Sequence, residues 1–459
     1  MALVSSALSA SAAARLKLNK TISQRARETV LFFFYGEPFS IMAKPLRVIG
    51  FGVGAFTHGM LSVLKEKGCD VSAYLTRPYG HYGPGLVGPT HDCAAFPNPC
   101  TLLQDGVDLV IPQSIDWAER PWRDEFLKLG LPILCPTGEA LLLERNRDFA
   151  RELCQRFQIP FPVAQVARNR LEAERILSDN PRPYVIKNPL CSPTSPIHTI
   201  VCETVEETRS WLGRIDYAEG VFLQEYLGRA EAGHIALVSN GEIHSLVTNQ
   251  EYKRAFAGNL GIVAGAPLGG LVEQDPGDKY GLAKALLHPL LPWLREVKFH
   301  GPVQVTAVFK DGRWQVIEYN VRLGVTSGPM ILRMLRNGPD CLVRCARDEK
   351  LSLEFDSRQP FGCSMTLAGY GYPYVQLQGP QLPVYVDEPL TCDVWWNEVA
   401  RGGDGQLRMT GHRICDVVAM GETLPAALRK AKENIRKIRC LGSYYRPDVG
   451  ESLWPPGNV

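Results

Sequence analysis

The chain has 459 residues, which is too long for one hydrophobic core, and its length indicates about three domains. Because 45% of the residues are hydrophobic and 21% are charged, the composition is that of a soluble globular protein. The formal net charge is only +2, so the composition does not point to a nucleic-acid partner, and small molecules are the expected partners.

The 13 cysteines form no C-x-x-C pair, and Cys341 and Cys345 have no second pair that would complete a zinc site. We interpret them as reduced thiols, which is the state expected in the cytoplasm.

The chain begins with a tail, residues 1–43, that is rich in Ala and Ser and has no acidic residue before Glu28. Two interpretations are open: the tail is an organellar transit peptide, or translation starts at Met42, directly before the first predicted strand. The apolar run at residues 30–35 is too short to cross a bilayer, and no membrane segment is expected elsewhere.

The tail is followed by a predicted parallel α/β domain. Residues 46–50 have the pattern of a buried strand, and the glycine-rich turn at residues 50–54 leads into a helical stretch. Further strands are predicted at residues 71–74, 109–111 and 133–134. Because strands and helices alternate, we predict a parallel sheet over residues 44–140.

A second apolar strand, residues 183–187, ends in Lys187. An unpaired ammonium group buried there would be costly, and a phosphate group would supply the counter-charge. The alternative is a lysine with a buried stem and a solvated tip.

The sequence of residues 303–324 predicts two strands in which apolar and polar residues alternate. The second strand carries polar side chains that can bind a metal ion. Alternation places Glu318 and Asn320 on one face, so both can offer oxygen ligands to one hard cation. Arg322 follows two residues later, and a metal with an adjacent guanidinium is what a nucleoside triphosphate site needs. The alternative is an edge strand whose polar face lies in water.

A structural helix is predicted near the C-terminus, with Thr423 as its N-cap. Its apolar face is formed by residues at spacings of four and three: Leu424, Leu428, Ala431, Ile435 and Ile438.

Several of these segments resemble one enzyme family. Residues 314–324, WQVIEYNVRLG, resemble the E-F-N-x-R-F-G-D-P-E signature of phosphoribosylamine-glycine ligase, an ATP-grasp enzyme of purine biosynthesis. Residues 249–256 resemble the family's A-Q-D-H-K-R stretch, residues 371–373 its G-Y-P, and residues 410–450 its closing segment. The resemblance covers about residues 44–450.

The resemblance implies an α/β and α+β architecture. The parallel pre-ATP-grasp domain at residues 44–140 would be followed by a two-lobed ATP-grasp domain at residues 141–340. A small α+β domain at residues 341–459 would complete the chain.

The resemblance also implies an ADP-forming ligation of a carboxylate such as glycine to an amine such as phosphoribosylamine. The enzyme would use ATP with Mg²⁺ (or Mn²⁺), and it would be cytoplasmic, a monomer or homodimer, with no nucleic-acid or membrane partner. The residues implied to bind ATP are Arg147, Lys187, Gln224, Glu225, Tyr226, Leu227 and Glu231. The implied metal ligands are Glu318 and Asn320, and the implied catalytic residues are Arg322, Lys253 and Arg254.

Three segments depart from the family pattern. The glycine-rich phosphate loop G-L-A-A-G-K-G is replaced by residues 189–196, PLCSPTSP, and proline has no N–H to offer a phosphate. The acids of D-P-E are replaced at residues 325–327, and the arginine and glutamate of the family's G-x-G-G-R-E-H turn are missing at residues 54–58. Two alternatives follow: a ligase for another carboxylate and amine, or a catalytically weak nucleotide-binding relative.

Overall fold

The computed structural model describes residues 44–78, 82–192, 199–375 and 381–451. The N-terminal tail, with its two interpretations, lies outside the described residues, as do residues 193–198 of the altered phosphate loop. The described residues from Leu46 onward form one compact unit. In the part of the chain that the structure describes, we find no helix with the length and apolar character needed to cross a membrane.

The helices and strands are numbered here in chain order. The α-helices are α1 Gly54–Glu66, α2 Arg123–Lys128, α3 Leu142–Arg145, α4 Arg147–Arg156, α5 Arg170–Asp179, α6 Val205–Leu212, α7 Leu282–Leu286, α8 Leu291–Glu296, α9 Gly328–Met334, α10 Gly338–Ala346 and α11 Leu424–Ile435. The strands are β1 Arg47–Phe51, β2 Asp70–Leu75, β3 Thr90–Asp92, β4 Leu109–Pro112, β5 Ala164–Ala167, β6 Tyr184–Lys187, β7 Ile200–Val201, β8 Val221–Glu225, β9 Glu231–Ser239, β10 Glu242–Glu251, β11 Arg254–Phe256, β12 Leu260–Val263, β13 Gly269–Gln274, β14 Gly301–Lys310, β15 Arg313–Asn320, β16 Phe361–Ala368, β17 Leu382–Pro383, β18 Tyr385–Val386, β19 Asp393–Trp396, β20 Val399–Arg401, β21 Leu407–Met409, β22 Arg413–Gly421 and β23 Ile438–Arg439.

The N-terminal sheet is parallel, as predicted, with the strand order β3-β2-β1-β4. Gly54 begins α1 with a φ of +77°, a left-handed conformation that favours glycine. The strand predicted at residues 133–134 is wrong: Ile133 makes only a single parallel bridge to Val110. Pro132 and Pro136 flank this segment, and proline cannot donate to a ladder, so the pairing does not extend.

A second sheet is antiparallel, with the order β5-β8-β6-β7. Helices α5 and α6 cover it and share a small apolar core with β6 and β8 that includes Ile176, Leu212, Ile186 and Leu223. This core forms a separate lobe on one side of the central cavity.

The largest sheet has eight antiparallel strands in the order β15-β14-β9-β10-β13-β16-β22-β19. A hairpin turn at Asn240-Gly241 joins β9 and β10, and both turn residues have positive φ, as a tight hairpin turn requires. The sheet passes without a break from the central part of the chain into the C-terminal part through the β13–β16 ladder. The domain boundaries near residues 140 and 340 stay a prediction.

Helix α11 packs on β16 and β22, and the Thr423 side chain accepts a hydrogen bond from the Ala426 amide, so the predicted N-cap is confirmed. The predicted helix face is wrong at its end. The helix stops at Ile435, and Ile438 lies in β23, where it is buried by pairing with β18.

Candidate active site

A cavity of about 530 Å³ lies between the four-stranded antiparallel sheet and the eight-stranded sheet. Its walls come from β6, β7 and β8 on one side and from β9, β10, β11, β14 and β15 on the other. Eleven of the twelve predicted site residues line it: Lys187, Gln224, Glu225, Tyr226, Leu227, Glu231, Lys253, Arg254, Glu318, Asn320 and Arg322. The remaining one, Arg147, does not line the cavity, but its Nη1 lies 3.8 Å from Oε2 of Glu318, which does.

Lys187 is 3% exposed at the end of β6, and no carboxylate forms an ion pair with it among the described residues. Its ammonium nitrogen donates to Gln224 Oε1 at 2.8 Å and lies 3.5 Å from the Ile317 carbonyl oxygen. Ile317 is the extra residue of a β-bulge in β15, so its carbonyl oxygen is not used in the ladder. Burial lowers the pKa of Lys187 to about 8, although the nearby Glu318 opposes the shift. The hydrogen-bond partners of the lysine are therefore neutral, and its positive charge has no anionic partner in direct contact among the described residues.

Glu318 is the carboxylate on which several cations converge. Lys253 donates to Glu318 Oε1 at 3.1 Å, and Arg147 lies 3.8 Å from Oε2. Lys253 holds the pKa of Glu318 well below its usual range, against the effect of burial, with help from Lys187 and Arg147. This carboxylate is ionised throughout the physiological range.

Lys253 bridges two acids, because its nitrogen also lies 3.0 Å from Glu231 Oε2. Burial by itself would lower the pKa of Lys253, but Glu231, Glu318 and Glu251 together raise it well above its ordinary value. Burial raises the pKa of Glu251, which also lines the cavity. Three carboxylates thus surround one ammonium group.

Asn320 and Arg322 follow Glu318 along the same wall. Arg322 Nη2 donates to Asn320 Oδ1 at 3.2 Å, and its Nε lies 3.3 Å from Glu144 Oε1. Glu144 is buried, and its second oxygen accepts a hydrogen bond from the Val321 amide at 2.7 Å. A single buried carboxylate therefore fixes both the side chain of Arg322 and the backbone beside it.

Lys253 and Arg254 were predicted as a catalytic pair, but the structure gives them different partners. Arg254 Nη2 donates to Glu203 Oε1 at 2.9 Å, and its Nη1 donates to the Gly261 carbonyl oxygen at 2.9 Å. Glu203 also binds Arg229 in an ion pair. Arg254 reaches the cavity with its guanidinium held by the β11–β12 hairpin and Glu203, away from Glu318.

Residues 224–227 run along the edge of the small lobe. Gln224 Nε2 donates to the Ile317 carbonyl oxygen at 3.1 Å, and the Glu225 carboxylate pairs with Arg182 and Lys310. The Glu225 amide donates to the Val163 carbonyl oxygen, and the Tyr226 amide donates to the Pro183 carbonyl oxygen. In the part of the chain that the structure describes, no group accepts a hydrogen bond from the Leu227 amide. The edge therefore keeps one backbone donor for a ligand.

The start of the altered phosphate loop is tied to its surroundings. The Cys191 amide donates to the Arg145 carbonyl oxygen at 2.7 Å, and Ser192 Oγ donates to Glu119 Oε2 at 3.0 Å. Arg147 Nε donates to the Asn188 carbonyl oxygen at 3.0 Å. Arg147 thus links this loop to the carboxylate of Glu318.

The sequence singled out no role for Glu144, Glu203 or Glu251. Residues 143–149, LERNRDF, resemble a further family stretch, L-E-G-S-K-x-F, and Glu144 keeps its glutamate. Glu251 takes the place of the acid in A-Q-D-H-K-R, so both stretches contained a signal. Glu203 has no such signal, because its partners lie far along the chain.

Another group of metal-ligating residue types, His234, Asp275 and Asp278, lies outside the cavity. Its atoms are already used: His234 bonds to the Thr248 hydroxyl, which donates to Asp275 Oδ2 at 2.6 Å. The Asp278 oxygens accept hydrogen bonds from the amides of Ala283 and Lys284 in α7. We interpret this group as structural.

The comparisons with known proteins agree with this geometry. A model of the phosphoribosylglycinamide synthetase ATP-grasp (A) domain matches residues 145–326, and a model of the C domain of the same synthetase matches residues 362–452. The chain is 28% identical over 347 residues to the phosphoribosylamine–glycine ligase of Ralstonia nicotianae, covering 71% of this chain and 80% of that protein. It is 26% identical over 433 residues to the same ligase of Chlorobaculum tepidum, covering 88% and 99%.

Solved structures show the same fold. The phosphoribosylamine–glycine ligase of Thermotoga maritima superposes with a TM-score of 0.71 at 22% identity, covering 88% of this chain and 100% of that one. The biotin carboxylase domain of Hydrogenobacter thermophilus 2-oxoglutarate carboxylase, solved with MgADP, ADP and bicarbonate, superposes with a TM-score of 0.65 at 13% identity, covering 87% and 91%.

Two lobes around a cavity that carries lysine, glutamate, asparagine and arginine from these strands define an ATP-grasp protein. The expected α/β and α+β architecture is confirmed. The two matching domain models together span more than half of the chain. The chain belongs to the phosphoribosylglycinamide synthetase family, as the sequence motifs indicated.

Proposed function

We propose that this protein is an ATP-dependent ligase that joins glycine to phosphoribosylamine with formation of ADP and phosphate. The observation that carries the proposal is the cavity in which Glu318, Asn320, Lys187 and Arg322 meet, in a chain of this family. ATP transfers its γ-phosphoryl group to the carboxylate of glycine, and the amine then attacks the acyl phosphate and expels phosphate. The condensation is thereby divided into two easier steps.

The nucleotide is assigned to the small-lobe side of the cavity. Lys187 has neutral partners only, so a phosphate group would supply the missing negative charge, and Arg147 stands behind it. The amide of Leu227 would donate to the adenine edge, and Glu231 would accept from the ribose hydroxyls after giving up part of its contact with Lys253.

The divalent ion is assigned to Glu318 and Asn320. A carboxylate and a carboxamide are oxygen donors suited to Mg²⁺ or Mn²⁺, and the low pKa of Glu318, held down by Lys253, keeps it ready to bind a metal. When bound, the ion would neutralise charge on the phosphate oxygens. The fit is good because, among the described residues, the Asn320 side chain has a single hydrogen bond, which it accepts from Arg322.

Arg322 is assigned to the reacting phosphoryl group. Burial by itself would lower the pKa of Arg322, but Glu144 opposes this effect and the pKa is raised, so the guanidinium stays charged. Its Nη2 is directed at Asn320, the proposed metal ligand, which places positive charge where charge develops during phosphoryl transfer.

The test is to incubate the purified protein with ATP, Mg²⁺, glycine and freshly made phosphoribosylamine and to measure ADP and glycinamide ribonucleotide. A Glu318→Gln variant serves as the matched control for contaminating activity. ADP that forms only with another carboxylate would overturn the proposed substrates and leave the ligase class standing.

A second candidate is favoured by one observation, the proline-bearing segment in place of the glycine-rich phosphate loop. It is a catalytically weak relative that binds MgATP. Under both candidates MgATP raises the melting temperature, because it binds the folded state. A protein that gains thermal stability but releases no ADP with any carboxylate and amine tested would support the second candidate.

A further inference from the structure

Residues 264–267, which we call the wall segment, follow β12 on the way to β13 and line the cavity. Both ends are fixed beside the proposed active site: the Ala264 amide donates to the Lys253 carbonyl oxygen at 2.9 Å, and the Leu268 amide donates to the Tyr252 carbonyl oxygen at 2.8 Å. No atom lies within 4 Å of a methyl group placed on Gly265, so the segment faces open space there.

The middle of the wall segment is held from outside the cavity by Arg413 of β22. Arg413 Nη1 donates to the Ala266 carbonyl oxygen at 2.9 Å, and Nη2 donates to the Pro267 carbonyl oxygen at 2.7 Å. Arg413 is 7% exposed and does not line the cavity. One planar group thus fixes two consecutive carbonyl oxygens, which a single ammonium nitrogen cannot do in the same geometry.

Arg413 is itself fixed by neighbours in the C-terminal part of the chain. Its Nη2 also donates to Thr366 Oγ1 at 3.0 Å, and the fully buried Asp416 lies 3.5 Å away. Thr366 Oγ1 donates to Asp416 Oδ1 at 2.6 Å, and the Tyr372 ring centroid lies 5.7 Å from the guanidinium carbon. Burying a guanidinium costs solvation that apolar packing would avoid, so stability alone does not account for a charged group at this position.

We propose that Arg413 is a positioning residue for the carboxylate or amine substrate, acting through the wall segment. The wall segment begins beside Lys253 and contains no residue assigned to ATP, so it shapes a part of the cavity that is left for the other substrates. The identity of those substrates rests on the proposed function, whereas the positioning of the wall segment does not.

The test compares Arg413→Lys with Arg333→Lys. Lysine at position 413 keeps the charge beside Asp416 but loses the two-carbonyl contact. Arg333 is a matched control, because it is also an arginine held by carboxylates, here Asp393 and Glu66, but none of its hydrogen bonds among the described residues reaches the wall segment. Steady-state kinetics for ATP, glycine and phosphoribosylamine, the melting temperature and amide hydrogen exchange are measured for both.

For Arg413→Lys we expect the KM of glycine or phosphoribosylamine to rise about tenfold and the KM of ATP to change less than about twofold. The reason is that a misplaced wall segment weakens the binding of the substrate that contacts it and not the binding of the others. Exchange at the amides of Ala264 and Leu268 should be faster. Arg333→Lys should lower the melting temperature without either effect. Equal changes in the KM of all three substrates, or unchanged KM values in an active enzyme, would overturn the proposal.

The exchange measurement separates this proposal from the proposed function. If the wild-type protein makes no glycinamide ribonucleotide but Arg413→Lys accelerates exchange at Ala264 and Leu268, the substrates are wrong and the positioning stands. If the wild-type protein is active and Arg413→Lys leaves exchange at both amides unchanged, the positioning is wrong.

Discussion

The ammonium nitrogen of Lys253 lies 3.1 Å from a carboxylate oxygen of Glu318, the residue proposed to bind the divalent ion. Without a metal, Lys253 therefore pairs with the Glu318 carboxylate to which the metal would bind. Because Glu231 lies 3.0 Å from the same nitrogen, Lys253 has a second partner to which it can move when a cation arrives. Metal binding and the position of Lys253 should be coupled.

Lys253→Met should tighten the binding of Mn²⁺ to the nucleotide-free protein, because removal of the ammonium group leaves the carboxylates of Glu231, Glu251 and Glu318 without their shared cation. Turnover should nevertheless fall. Mn²⁺ binding is measured by electron paramagnetic resonance, and Lys310→Met, which removes a partly exposed partner of Glu225, is the control. Weaker Mn²⁺ binding in Lys253→Met would contradict the coupling.

Glu318→Gln should lower metal affinity and turnover together. The substitution keeps the shape of the side chain but removes the charge that a divalent ion needs. Excess Mg²⁺ should restore part of the activity, which is followed as ADP release over a Mg²⁺ titration. Activity that is low and independent of Mg²⁺ would place the metal elsewhere.

Lys187→Met should weaken ATP binding by about 1.5–3 kcal/mol, the range for a hydrogen bond to a charged group. The variant keeps much of the apolar stem, and added metal cannot replace a contact directed from β6. Isothermal titration calorimetry with a non-hydrolysable ATP analogue measures the loss. Unchanged affinity would mean that the nucleotide does not lie against this strand.

Affinity for MgATP should fall as the pH rises through about 8, the pKa to which burial lowers Lys187. Above that value the lysine of the nucleotide-free protein loses the charge that would pair with a phosphate. The effect on stability has the opposite sign. Between about pH 8 and the ordinary lysine pKa of 10.5, the folded protein binds fewer protons at Lys187 than the unfolded chain does. Lys187 therefore raises the free energy of unfolding as the pH rises through this range. Titration calorimetry from pH 7 to 9 should show a step in affinity that Lys187→Met lacks.

Glu144→Gln should lower the free energy of unfolding and the turnover number together. Glutamine can still accept the Val321 amide, but it leaves the guanidinium of Arg322 without its ion partner, at a cost on the order of 3 kcal/mol for a buried pair. Urea denaturation and ADP release measure the two effects. Arg156→Gln, which loses an exposed pair with Glu296, should change neither.

Much of the site was predictable because its residues lie in short, regular segments. Glu318 and Asn320 alternate along β15, and Arg322 lies two residues beyond its end, so all three line one wall. An apolar strand that ends in Lys187 directs that side chain to the same cavity. The family motifs supplied residues 224–227 and Glu231, which no periodicity distinguishes. The roles of all these residues remain predictions.

The partners of the charged residues were not predictable. Glu144 meets Arg322, and Glu203 meets Arg254, only because separate strands and helices pack together, and local pattern says nothing about such contacts. The same reason explains Ile438. Its spacing continued the apolar face of the helix, but in the structure it lies in β23, which pairs with β18.

The continuous eight-stranded sheet limits how this chain can be divided into separately folding parts. Because β13 and β16 share a ladder, a chain truncated at residue 340 would leave β13 as an open edge, ready to pair with other copies and aggregate. The ATP-grasp part would then be difficult to isolate as a free-standing module. In the intact chain, β15 with Glu318 and β22 with Arg413 belong to the same sheet, so one hydrogen-bonded sheet carries both the proposed metal ligand and the residue that holds the wall segment.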